Sequence, residues 1–190
     1  MWFKNLCLYR LRSPWTLSAA DFEEVLRTSP LNPVSGLSWT SEGWVSPRGD
    51  AQLVFAQEKQ LLFAMGAEKK LLPSTVIRDV TAERARTFEQ VKGFAPSRKQ
   101  VRDLKEQVTN ELLPRAFGQR RVTRAWLDTQ TGWLAIDAGS LTLAESLVEL
   151  LRKTLETLTV EMPDCDPGPG TQMTQWLAGG SVPDPFDLDD

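Results

Sequence analysis

The segment Ser74–Leu113, STVIRDVTAERARTFEQVKGFAPSRKQVRDLKEQVTNELL, sets the architecture of the whole chain, because it is helical in period and lies between two regions of β texture. Ile77, Val80, Phe88 and Val91 recur at near-helical spacing, and Gly93 stands where a left-handed residue ends a helix. After Pro96, Ser97 and Gln100 form a capping box. It opens a second helix through Val101, Leu104, Val108 and Leu112, spaced 3, 4 and 4 apart, which Pro114 ends. Two helices joined by so few residues form an antiparallel hairpin. At the helical rise each arm is about 25–30 Å long.

On the N-terminal side, Phe3, Leu6, Leu8 and Leu11 alternate loosely within a strand from Phe3 to Leu11. Ser18-Ala-Ala-Asp21 caps a short helix with Phe22, Val25 and Leu26 on one face, stopped by Pro30 and Pro33. Trp39 and Trp44 flank a turn at Ser41-Glu42-Gly43, and Gln52–Phe55 pairs with Gln60–Met65 as a β-hairpin. On the C-terminal side, Arg121–Asp128 and Trp133–Asp137 are paired strands around a turn at Thr129–Gly132. Thr142-Leu-Ala-Glu145 caps an amphipathic helix with Leu143, Leu147, Leu150, Leu151 and Leu155 on one face. Met162–Gly170 reads as a loop, Thr171–Leu177 as a short helix, and Val182–Asp190 as a frayed acidic end. The expected fold is α+β, a mainly antiparallel sheet with packed helices, interrupted by an inserted antiparallel helical hairpin. Its parts are a discontinuous central unit (1–72 and 119–160), the hairpin (73–118) and a C-terminal stretch (161–190).

A chain of 190 residues, 41% hydrophobic and 25% charged, is long enough for one globular domain with its own core. It has no apolar run of the roughly 20 residues a bilayer span needs. The opening Met1-Trp2-Phe3-Lys4-Asn5 lacks the layout of a signal peptide, so the expected location is the cytoplasm, with no membrane partner. Histidine is absent. That excludes an imidazole base and a histidine-ligated metal. Cys7 and Cys165 form no CxxC pair, which excludes a structural zinc site; both are expected to be reduced and unpaired.

The net charge of −3 conceals a split. Residues 67–124 hold fourteen basic and seven acidic residues, while the rest holds eight basic and eighteen acidic, with no basic residue after Lys153. Arg98, Lys99, Arg102 and Lys105 fall within two turns of one helix, and Arg98, Arg102 and Lys105 share a face. Arg115, Arg120, Arg121 and Arg124 extend the charge beyond its end. Two readings stand: a solvated helix with internal ion pairs, or a stripe that meets the phosphates of nucleic acid without reading bases. Phe117, beside Arg115 and just past a helix end, either closes the base of the hairpin or anchors a partner subunit. Seven tryptophans favour sheet and core packing over base stacking.

No catalytic constellation emerges. Asp187, Asp189 and Asp190 could bind a metal but read as a solvated tail, and Asp128 and Asp137 are isolated strand-end residues. Lys69-Lys70 follows no glycine-rich phosphate loop. The expectation is a binding protein with no cofactor, no metal and no catalytic residue. The alternatives are a protein-interaction module whose hairpin charges dock a partner protein, and a nuclease using the tail carboxylates with Mg²⁺.

Several blocks together resemble the RdgC family of recombination-associated proteins: Trp2-Phe3-Lys4-Asn5-Leu6 with Tyr9-Arg10-Leu11, Gly43-Trp44-Val45-Ser46-Pro47, Glu68–Ser74, Leu112–Phe117, Trp126-Leu-Asp128 with Gly132, and Leu151–Leu155. The resemblance implies a bacterial, nucleoid-associated protein that is not an enzyme. It would bind double-stranded DNA without sequence preference, as a ring-shaped homodimer with a positively charged hole, and restrain RecA-driven recombination. It further implies that Lys69, Lys70, Arg86, Lys92, Arg98, Lys99, Arg102, Lys105, Arg115, Arg120, Arg121 and Arg124 face the DNA, and that Phe117 is a dimer contact. Members of the family continue into a further C-terminal region, so 161–190 reads as the start of that region.

Overall fold

A computed structural model describes residues 3–155, 157–164 and 167–179. Trp2, Cys165 and the acidic end Val182–Asp190, with Asp187, Asp189 and Asp190, lie outside them. The fold is α+β. In chain order the elements are β1 (Leu6–Leu11), α1 (Ala19–Arg27), β2 (Thr40–Val45), β3 (Val54–Gln57), β4 (Gln60–Leu71), α2 (Ser74–Lys92), α3 (Arg98–Leu112), a 3₁₀ turn (Leu113–Arg115), β5 (Phe117–Asp128), β6 (Trp133–Asp137), α4 (Leu141–Thr154), β7 (Val160–Glu161) and α5 (Pro169–Leu177). The strands form one sheet in the order β2-β4-β5-β6-β1-β7, with β3 also on β4.

β4 and β5 are its spine. They pair antiparallel over their full length, from Gln60 opposite Asp128 to Leu71 opposite Phe117. β3 and β2 lie end to end along the other edge of β4. β6 meets only Ala125–Leu127 of β5. The helices α1 and α4 cover one face. Phe22 and Leu26 of α1 and Ala144, Leu147, Val148 and Leu151 of α4 are buried against Trp44, Phe63, Met65, Leu127, Leu134 and Ile136. Complete burial of side chains such as Phe22 and Leu26 contributes about 1.5–3 kcal/mol each.

The chain alternation of β1 runs opposite to the simplest expectation. Cys7, Tyr9 and Leu11 face the core, while Leu6 and Leu8 are exposed on the other face. Ser41-Glu42-Gly43 is the middle of β2 rather than a turn. Gly43 serves a close approach there: the segment after α1 runs beside β2, with Leu31 N–H donating to Trp44 O at 3.1 Å and Trp44 N–H to Ser29 O at 2.9 Å. A Cβ on Gly43 would meet Leu31 N at 2.4 Å and Pro30 C at 2.5 Å, both backbone atoms. Gly43→Ala is therefore expected to destabilise by about 3 kcal/mol or more in urea denaturation. Gly170→Ala, where a Cβ meets nothing within 4 Å, is the matched control and should leave the midpoint in place. The helix α4 begins one residue earlier than Thr142 because Ser140, extended in backbone, is the cap, its Oγ accepting from Leu143 N–H at 3.4 Å.

The interruption between β4 and β5 is the helical hairpin. Ser97 Oγ accepts from Gln100 N–H at 3.4 Å, and Ser97 N–H donates to Gln100 Oε1 at 2.8 Å. Gly93 turns the chain at φ 76°. α2, at 19 residues, is about 28 Å long, while α3, at 15, is about 22 Å. α3 is short because the 3₁₀ turn around Pro114 takes over at Leu113. The hairpin has its own seam, with Ile77, Thr81, Val108 and Leu113 buried and none of them in the main core. The Thr81 hydroxyl donates to Ile77 O at 2.6 Å, so its burial leaves no orphan group. Val91, expected on this seam, is instead exposed near the tip, where Phe94 packs edge-on against Phe88.

Candidate nucleic-acid interface

Strand parity divides the cations that flank the hairpin. Successive side chains point to opposite faces of a sheet, so Lys69 and Lys70 are on opposite sides of β4, as are Arg120 and Arg121 on β5. The register places Glu68 opposite Arg120 and Ala64 opposite Arg124 on one face, and Ala67 opposite Arg121 on the other. The flanking cations thus do not form one continuous patch.

Three of the twelve expected DNA contacts are held by the protein itself. Arg120 pairs with Glu68 at 3.3 Å, Arg124 Nε donates to Pro47 O at 2.9 Å, and Lys70 Nζ donates to Ala116 O at 2.9 Å. Glu68 also lies close over Gly118, where a Cβ would meet Glu68 Oε1 at 2.4 Å and displace that side chain. The other nine, Lys69, Arg86, Lys92, Arg98, Lys99, Arg102, Lys105, Arg115 and Arg121, are exposed. Among the described residues none of these nine has a carboxylate within ion-pair distance.

The hairpin's internal pair is a different one. Arg84 of α2 and Glu111 of α3 form a two-pronged bond at 2.9 and 2.5 Å. The hydrogen bond from Arg84 holds the Glu111 carboxyl below the usual carboxylate range, and Glu111 in turn raises the Arg84 guanidinium. This pair joins the arms and leaves the α3 cations unengaged. Arg98 and Lys99 occupy the first turn of α3, which has no acidic residue. That is where the helix dipole disfavours positive charge by a few tenths of a kcal/mol or more. Helix stability therefore does not explain them.

Phe117 does not close the hairpin base. It is 85% exposed, and Leu71, opposite it on β4, is 50% exposed. Together they form an apolar pair at the end of the sheet. Of the tryptophans, Trp44 is buried in the core, Trp39 is exposed, and Arg10 lies over the ring of Trp133 at 5.2 Å. A feature that sequence reasoning missed is an open groove of about 650 Å³ on the sheet face away from the helices, lined by Phe3, Leu6, Leu8, Phe55, Leu62 and Trp126. Its signal was the apolar parity of Leu6 and Leu8, indistinguishable in sequence from a core-facing pattern.

The isolated carboxylates have structural duties. Asp128 accepts from the Thr131 hydroxyl and from the Gln130 and Thr131 N–H groups. These bonds, that of the Thr131 hydroxyl foremost, hold its carboxyl below the usual range. Asp137 accepts from Lys4 and Asn5 N–H. Among the described residues no group of three or more Cys, Asp or Glu is placed to hold a metal ion. Cys7 is a free thiol. No helix among the described residues is long and apolar enough to cross a membrane.

The family model described as "Putative exonuclease, RdgC" matches residues 1–190. The chain belongs to the RdgC family. It is 44% identical to the recombination-associated protein RdgC of Janthinobacterium sp. (strain Marseille), and 46% identical to that of Paraburkholderia phymatum. With the RdgC of Dechloromonas aromatica the identity is 44%. Each match runs over 189 residues and covers the whole of this chain but 62–63% of the relative. The chain therefore spans a little under two thirds of the length of the RdgC proteins it matches. Those relatives are named for recombination, whereas the family description names an exonuclease.

Proposed function

We propose that this chain binds double-stranded DNA through its phosphates, without sequence preference, and that it acts as a homodimer in the nucleoid to restrain RecA-dependent recombination. The observation that carries the DNA reading is the set Arg98, Lys99, Arg102 and Lys105, exposed on α3, without carboxylate partners, and partly placed where the helix dipole opposes them. Such cations release counterions from DNA when they neutralise phosphates, so affinity falls steeply with salt. None of the α3 residues forms a base-reading set, so unrelated sequences are bound alike. The decisive experiment is a titration of two unrelated linear duplexes across a range of salt. Parallel, steep lines support the reading; a flat response sinks it.

The dimer reading draws on the exposed pair Phe117 and Leu71. Exposed aromatics of this kind are common interface anchors, and their loss costs about 2 kcal/mol or more of association. Phe117→Ala should therefore raise the dimer dissociation constant about 30-fold or more in sedimentation or light scattering. An unchanged constant would place the dimer contact elsewhere.

The second reading, a module that docks a recombinase with incidental DNA contact, is favoured by the open groove lined by Phe3, Leu6, Leu8 and Trp126. Retained recombinase capture together with no duplex binding at low salt would select it.

A further inference from the structure

The hairpin tip combines exposed cations with an exposed aromatic ring. Residues 90–102, QVKGFAPSRKQVR, hold Lys92, Arg98, Lys99 and Arg102 and no carboxylate. All four cations are exposed. Between Lys92 and Arg98 in the sequence, Phe94 is 57% exposed, although its ring packs edge-to-face on Phe88 with centroids 5.9 Å apart. One contact holds the ring in place and leaves more than half of the side chain open. The connection that carries it is short and fixed at both ends, by Gly93 at φ 76° and by the two capping-box bonds of Ser97 and Gln100. Phe94 is therefore presented on a defined support, not on a free loop.

Its surroundings separate it from Phe117, the other exposed phenylalanine among the described residues. Phe117 stands opposite an exposed leucine, an apolar pairing suited to protein. Phe94 has no such apolar strand partner and lies on the tip connection between Lys92 and Arg98. An aromatic ring between unpaired cations is the combination that holds single-stranded nucleic acid, the cations on the phosphates and the ring on a base face. In an intact duplex the base faces are already stacked, so such a ring gains nothing there.

Resting on the DNA-binding reading, we propose that the hairpin tip is a base-stacking site, at which Phe94 stacks on an unpaired base in gapped or frayed DNA while Lys92, Arg98 and Lys99 hold the adjoining phosphates. On intact duplex the same cations, with the rest of the stripe, hold phosphates and the ring adds nothing. The chain thus marks DNA that has single-stranded character within a duplex.

The test compares an intact duplex with one of equal length carrying a central gap of about five nucleotides, with 2-aminopurine in the gap, by anisotropy and by base fluorescence. The full chain is expected to bind the gapped form about tenfold more tightly and to alter the 2-aminopurine emission. Phe94→Ala should abolish that preference and the emission change while leaving intact-duplex affinity within about twofold. Phe94→Trp should keep both. A preference unchanged in Phe94→Ala overturns the proposal, as does a fall in self-association of that variant, which would assign the ring to a second copy. Equal binding of both DNAs by the unaltered chain also overturns it, yet leaves duplex binding standing. Binding of neither DNA defeats the DNA reading itself.

Discussion

Replacing Arg98, Lys99 and Arg102 together with alanine should weaken duplex binding severely and lower its salt slope by about three phosphate contacts. Each neutralised phosphate contributes about 0.9 to the slope of log affinity against log salt. With three contacts gone, a fourfold rise in salt would cost about 40-fold less affinity than it costs the unaltered chain. The loss should be the same on unrelated duplexes, because phosphate contacts carry no sequence information. The substitutions are also well placed to leave the fold intact. All three side chains are exposed, and removing cations from the first turn of α3 relieves an unfavourable interaction with the helix dipole. Circular dichroism should show an undiminished helix content.

The triple Lys70→Ala, Arg120→Ala and Arg124→Ala removes the same charge and provides the contrast. These side chains already bond to Ala116 O, Glu68 and Pro47 O. The expected result is a smaller change in salt slope and a larger fall in stability. Equal effects of the two triples would mean that overall charge, rather than the free stripe on α3, governs binding.

The hairpin was legible because each of its signals is local. The 3-4-4 spacing in α3, the Ser97–Gln100 box and the positive φ of Gly93 depend on residues within a few positions of one another. The same holds for the β5–β6 turn, where Gly132 adopts φ 75° and Asp128 accepts from the residues that follow it. What the sequence hid depends on register. Arg120 cannot be told from Arg121 until Glu68 is known to stand opposite it. Gly43 reads as a turn residue until Leu31 is seen against it. Leu6 and Leu8 read as core because both faces of β1 carry apolar side chains, and only the positions of α1 and α4 decide which face is covered. The cations most exposed to this error lie on strands, where one residue changes the face; those on α3 were safe from it.

Trp44→Ala is expected to produce the largest loss of stability, because the ring is 1% exposed and lies where β2, β4 and α4 meet. Its Nε1–H donates to Thr154 Oγ1 at 2.9 Å, and its ring meets Phe63 with centroids 5.7 Å apart. Truncating a buried tryptophan costs about 3–5 kcal/mol, a large share of the 5–15 kcal/mol typical of a folded domain. In thermal denaturation followed by circular dichroism this corresponds to a fall of about 6–20 °C. Trp44→Phe keeps most of the volume and loses the hydrogen bond, so it should cost about 1–2 kcal/mol. The loss should carry over to function, although no DNA-contacting side chain is altered. Both ends of the hairpin leave the sheet, α2 from the end of β4 and α3 through the 3₁₀ turn into β5. Its own seam buries four residues, among them Val108 and Leu113, too small a core to hold two helices together once that clamp is gone. Duplex binding by Trp44→Ala should therefore be lost at the same temperature at which its sheet unfolds; binding that outlasts the sheet would show that the hairpin folds alone.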